Sequence, residues 1–197
     1  LELVAEMDAA GELPVRLRMP FLIDPGMSAG EQDALAVHRD RRGERWTAGV
    51  AKFFADGVVE SGTAWLHEPD VFGRNDAPYW LRAGAYEKAV RRMAGHGFQC
   101  VTHAVGDRAV HAVLDAYRDA PAAASGAPHR VEHLELLRDE ELARFAAEPA
   151  RTEERRSAWR ALCAEARVNV VFTDLASPDL ASVDAALDAA IGDRNPP

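Results

Sequence analysis

The chain has 197 residues, 48% of them apolar and 28% charged, with a formal net charge of −9. That length allows one sizeable core or at most two small ones. The acidic balance argues against a nucleic-acid-binding surface, and no apolar run approaches the roughly 20 residues of a membrane span.

Residues 1–10 read as a helix stopped by Gly11 at the position after its last turn. Residues 15–23 (VRLRMPFLI) alternate and then turn apolar, as a strand entering a core does, and Asp24-Pro25-Gly26 ends it. Residues 28–46 are polar and charged and read as a solvated loop or weak helix. Residues 49–57 (GVAKFFADG) form a strand that carries Lys52 among apolar neighbours, which is costly unless the amine reaches solvent or a partner. A long irregular stretch, 68–79, follows, of the kind that often borders an active-site mouth. Residues 81–94 read as an amphipathic helix. It leads into a strand at 98–102, with His103 where the strand ends, a turn at Gly106, Asp107 as helix cap and an apolar helical stripe to Tyr117. A small-residue connector at 120–128 gives way to a short strand at 129–133, ending on His133. Asp139 caps the next helix, and 151–166 are helical. Residues 168–173 (VNVVFT) form the last strand, with Asp174 at its end and Ser177-Pro178 opening a final helix.

The recurring unit is strand, polar residue, loop, helix, which argues for a parallel sheet with helical crossovers. Cys100 and Cys163 fall on a strand and a helix as small buried residues; they give no disulfide framework and fit a reducing cytoplasm. No Cys-x-x-Cys, Gly-x-Gly-x-x-Gly or Walker loop supports thiol redox, dinucleotide or P-loop chemistry. What stands out is the series Lys52, His103, His133 and Asp174, each on a strand or at its end. Imidazole and carboxylate are ligands that a zinc-type ion prefers. Ligands from the ends of separate parallel strands converge when the strands curl, as at the carboxyl-end face of a (β/α)8 barrel. A lysine ammonium repels a metal, but the neutral amine can add CO2 to give an anionic carbamate that bridges two ions.

Residue by residue, blander readings compete. Lys52 alone fits a lysine whose stem packs while its amine snorkels, and each histidine alone fits a buried ring satisfied by backbone. Asp174 before Ser-Pro is also ordinary turn chemistry. Asp56-Gly57 fits a tight turn, and Asp107 a helix cap only. Glu132 and Glu135 either support the ligands from behind or lie on the surface. His38, His67, His96 and His111 read as surface or structural, and His129 lies at the start of its strand, away from the expected site.

Three motifs, 52–64 (KFFADGVVESGTA), 102–109 (THAVGDRA) and 129–135 (HRVEHLE), occur in the order found in the amidohydrolase superfamily. They resemble most its YtcJ-like branch, which includes N-substituted formamide deformylases. The resemblance runs from about residue 15 to 190. It implies an imperfect (β/α)8 TIM barrel of the metal-dependent hydrolase type, seen here as a partial barrel. It further implies Lys52 as a bridging carbamate, His103 and His133 as metal ligands, and Asp174 as a metal ligand and proton shuttle. One or two divalent ions, zinc foremost, are the expected cofactor. The expected reaction is cleavage of an amide or other non-peptide C–N bond of a small organic molecule by metal-activated hydroxide. A lactonase or ester hydrolase on the same centre, or a non-enzymatic barrel kept as a scaffold, are the alternatives. A cytoplasmic homodimer without nucleic-acid or membrane partners completes the expectation.

The family's His-x-His motif of strand one is absent from the sequence, and so is a strand between Phe145 and Trp159. Five strands are too few for a closed barrel, and the length falls short of the roughly 250 residues typical of one. The whole span 1–197 is therefore expected to be a partial catalytic barrel, lacking an amino-terminal part and a segment near 147–148.

Overall fold

The computed structural model describes residues 1–147. The chain divides into two units, Leu1–Glu148 and Pro149–Pro197. Asp174, Cys163 and the strand expected at 168–173 thus lie outside the described residues, as does the far side of the expected junction at 147–148.

Four strands, β1 (Leu17–Leu22), β2 (Trp46–Phe54), β3 (Gln99–Ala104) and β4 (Arg130–His133), form one sheet in the order β1-β2-β3-β4, parallel throughout. Sequential parallel strands with helical crossovers are the (β/α)-barrel arrangement, so the expected partial-barrel class holds. Pro20 sits in β1, beside a register shift between Arg18 and Pro20. A residue without an N–H donor is tolerated in a strand that borders the described sheet.

The core lies between the sheet's outer face and two helices, α3 (Ala85–Gly95) and α4 (Asp107–Arg118). In α3 the buried positions are Tyr86, Ala89, Val90, Met93 and Ala94, and in α4 Ala109, Val110, Val113, Leu114 and Ala116. This three-and-four spacing is one helical face. They meet Ala51, Phe53 and Ala55 of the β2 segment and Phe98, Cys100 and Ala104 beside or on β3, all nearly inaccessible. Each fully buried large side chain contributes about 1.5–3 kcal/mol. Burial pushes the Cys100 thiol up to about 12, which suits its expected role as an inert packing residue. One polar chain crosses this core: Thr102 Oγ1 lies 2.8 Å from Tyr86 Oη and 2.7 Å from Tyr117 Oη, and Tyr117 donates to the Arg130 carbonyl at 3.1 Å. It links both helices to β3 and β4.

Three local expectations change. The helix expected at 81–94 starts only at Ala85, because Gly84 has φ +69° and Leu81 is exposed. A left-handed residue cannot continue a helix. The segment expected as loop or weak helix, 28–46, holds a real helix, α2 (Ala29–Ala34), closed by a reciprocal capping box between Ser28 and Glu31. Asp107 is the first helical residue of α4 and not its cap; Gly106 occupies the capping position. Among the described residues, the first helix, α1 (Glu2–Ala9), and the last, α5 (Asp139–Ala147), fall close to their expected places. No described helix is long and apolar enough to cross a membrane.

Candidate metal centre at the strand ends

Alternation along β2 turns Ala51 and Phe53 outward into the helices and leaves Lys52 and Phe54 on the opposite face. On β3 the same alternation sends Cys100 and Thr102 outward, so Val101 and His103 share the face of Lys52. Register then places Lys52 beside Val101, Phe54 beside His103, and His103 beside Glu132. Lys52, His103 and Glu132 therefore share the face away from the helices, near the carboxyl ends of three adjacent strands.

His103 is 7% exposed, and its ring lies 4.4 Å from that of His133, centroid to centroid. His133 reaches it because the backbone turns over: His133 has φ +79° and Leu134 φ +56°. Left-handed backbone at non-glycine residues is strained and is concentrated at functional sites. The strained turn is held by Leu134 and Leu136, whose N–H groups donate to the Ala104 and Val105 carbonyls, both at 3.0 Å. Burial, with the neighbouring His103 and Lys52, lowers the His133 pKa, against the opposing pull of Glu132 and Glu135. A neutral imidazole is the form that ligates metal.

Lys52 does not snorkel to solvent. Its ammonium pairs with Glu132, which also takes Arg130, and it stands 5.0 Å from the Phe54 ring. Partial burial works to raise the Glu132 carboxyl, but Lys52 and Arg130 outweigh it and hold it below the usual carboxylate range. Of its two sequence readings, support for the site or surface, Glu132 takes the first.

Asp56 is the residue that sequence reasoning undervalued. It is 1% exposed, and its carboxylate accepts three backbone N–H groups: Val105 at 3.0 Å, Gly106 at 2.8 Å and Trp65 at 2.9 Å. Burial drives its pKa up against the pull of these three bonds and of His103. One oxygen lies 3.8 Å from His103 Nε2, which itself is 2.8 Å from the Gly57 carbonyl. Asp56 thus fixes the turn that follows His103 to the loop that follows β2. Gly106 is required there for space: a Cβ would run into the Trp65 backbone. His129, read as lying at the start of its strand away from the site, has its two nitrogens bound to the Cys100 N–H (3.0 Å) and the Pro121 carbonyl (2.9 Å).

The donor chemistry fits a zinc-type ion in part. Two imidazoles face each other, whereas zinc takes three or four protein ligands. Lys52 is charge-paired as an ammonium, and Asp174 is not among the described residues.

Parallel βα units in sequential order, with His103 and His133 at consecutive strand ends, are part of a (β/α) barrel. The chain belongs to the amidohydrolase family, whose model matches residues 1–154. No curated protein matches it. Among solved structures it is similar to an uncharacterised metal-dependent hydrolase from Pyrococcus horikoshii OT3, with 22% identity and a TM-score of 0.59, covering 75% of this chain and 29% of that one. It is likewise similar to one from Pyrococcus furiosus, with 24% identity and a TM-score of 0.58, covering 75% and 30%. The chain therefore spans less than a third of the length of either structure.

Proposed function

We propose that this chain carries part of the active centre of a metal-dependent hydrolase that cleaves an amide or other non-peptide C–N bond of a small organic molecule. The observation that carries the reading is the meeting of His103 and His133 across strained backbone at adjacent strand ends. A divalent ion bound there would supply Lewis acidity, to polarise a carbonyl and lower the pKa of a water. His103 and His133 would hold that ion, and a carbamylated Lys52 would join them. The general base that takes the water's proton, and then as general acid returns it to the leaving amine, is the role expected of Asp174, which lies outside the described residues. Asp56 keeps the His103 turn rigid, and Glu132 pairs with Lys52 on the face that His103 shares.

The Lys52–Glu132 pair is the observation that favours the scaffold reading, since a satisfied ammonium has no need of CO2. Metal analysis and turnover separate the two. The hydrolase reading expects a zinc-type ion that is lost in His103→Ala, and turnover of formamides and acylated amines that falls at least about 100-fold with it. Turnover of lactones alone selects ester hydrolysis. No metal at these residues and no turnover of any of the three classes select the scaffold.

A further inference from the structure

We infer that His67, His111, Glu140 and Glu141 form a second divalent-metal site, separate from the strand-end cluster, which clips α5 and the loop around His67 onto α4. One ligand atom from each of the four lies within 4.8 Å of every other. The elements deliver them in a defined way. The loop is tied to the first turn of α4, with the His67 N–H donating to Asp107 Oδ1 at 3.0 Å and the Ala109 N–H to the Trp65 carbonyl at 3.1 Å. His111 stands one helical turn beyond Asp107, and its ring meets His67 edge-on at 5.6 Å. Glu140 and Glu141 open α5, which Arg144 fastens to α4 through Asp115 at 2.7 Å.

The second, independent observation is what these groups leave undone. Glu141 is fully buried, and only its Oε1 is satisfied, by His111 Nδ1 at 2.7 Å. Its Oε2 and His67 Nε2 are both buried with no hydrogen-bond partner among the described residues. Burying a carboxylate oxygen that faces nothing is costly, because its hydration is lost without a replacement partner. Asp115 at 3.5 Å and Arg144 at 3.4 Å engage His111 and leave both orphaned atoms untouched. An ion with bonds of about 2.0–2.2 Å satisfies them together. The tetrahedral edge that such bonds define is roughly 3.4 Å, shorter than the present spread, so binding draws loop and helix inward. Two imidazoles with two carboxylates select a zinc-type ion over calcium or magnesium, which take oxygen sets. A pocket of about 260 Å³, lined by His67, Glu68, Asp107 and Arg138 among others, borders the cluster on its His67 side.

The test uses the full chain with His103→Ala and His133→Ala together, so that the strand-end cluster is silent whatever its function. Cobalt, with its visible tetrahedral absorption, is the probe, and zinc affinity is read by calorimetry. The expected result is one bound cobalt per chain. His67→Gln and, separately, Glu141→Gln should each weaken zinc binding by more than about 100-fold, beyond the loss of a merely supporting group. Glu60→Gln, exposed and outside both the cluster and the pocket, should change nothing. Far-UV circular dichroism checks that each variant folds; should Glu141→Gln unfold, His67→Gln decides. In the chain that keeps both strand-end histidines, His67→Gln should likewise remove one bound cobalt. Absence of bound cobalt in the silenced chain, or unchanged zinc affinity after His67→Gln, overturns the site.

Discussion

Asp56 shows how one side chain can organise a site without doing its chemistry. Three backbone donors, from Trp65, Val105 and Gly106, converge on its carboxylate in a nearly inaccessible position. Hydrogen bonds to a charged acceptor contribute about 1.5–3 kcal/mol each, and a buried donor left empty costs a similar amount. Asp56→Asn keeps one accepting oxygen and turns the other into a donor that faces N–H groups. It should lower unfolding stability by about 3 kcal/mol in urea titration; a loss under about 1 kcal/mol would show that the clamp is replaceable. The histidines were legible from the sequence because a polar residue closing an apolar strand is a local signal. Asp56 was not, because its partners come from loops 9 to 50 residues away and nothing in Asp-Gly distinguishes a clamp from a turn. The same applies to Glu132, whose role depends on Lys52, 80 residues distant.

At the scale of elements, the clearest case is the clasp between α2 and α3. Asp33 accepts from Arg92 Nη1 at 3.0 Å on both oxygens, and its Oδ1 lies 2.7 Å from His96 Nε2. His96 and then Arg92 hold its carboxyl below the ordinary 3.8. A carboxyl depressed in the folded state binds fewer protons there than in the unfolded chain, so stability rises with pH through that range. The contribution of Asp33 is full above its unfolded value and lost as pH falls through the folded one. Urea midpoints measured from about pH 6 down to about pH 2 should therefore fall less steeply for Asp33→Asn than for the unaltered chain. Parallel curves would mean that the clasp is too solvent-screened to matter. Helix α2 itself was within reach of sequence reading, since Ser28 and Glu31 have the spacing of a capping box. The polar character of the whole segment concealed it. The early start assigned to α3 had the opposite cause, because an apolar Leu81 in phase with the stripe outweighed Gly84, whose left-handed backbone cannot be seen in the letters alone.

For the whole molecule, the sheet is unevenly secured, and the unevenness falls on the proposed centre. β3 is buried at every position and paired on both sides, and β2 is paired on both sides as well. β4 is four residues long, exposed at Arg130 and His133, and runs directly into strained backbone. Local opening free energy follows burial and hydrogen bonding, so amide exchange should be slowest in β2 and β3 and fastest in β4. Among the described strands, that ordering puts His133 on the least secured and His103 on the most secured. A ligand for both transfers stability from one to the other by mass action, about 2.7 kcal/mol at 100 times its dissociation constant. Zinc added to the full chain should therefore slow exchange at Glu132, His133 and Leu134 by up to about 100-fold, with little change in β3. In His103→Ala the same addition should leave β4 as it was, even if a separate zinc site on α4 is filled. If β4 exchanges as slowly as β3 before any metal is added, or is protected equally in His103→Ala, the two histidines do not act as one binding unit.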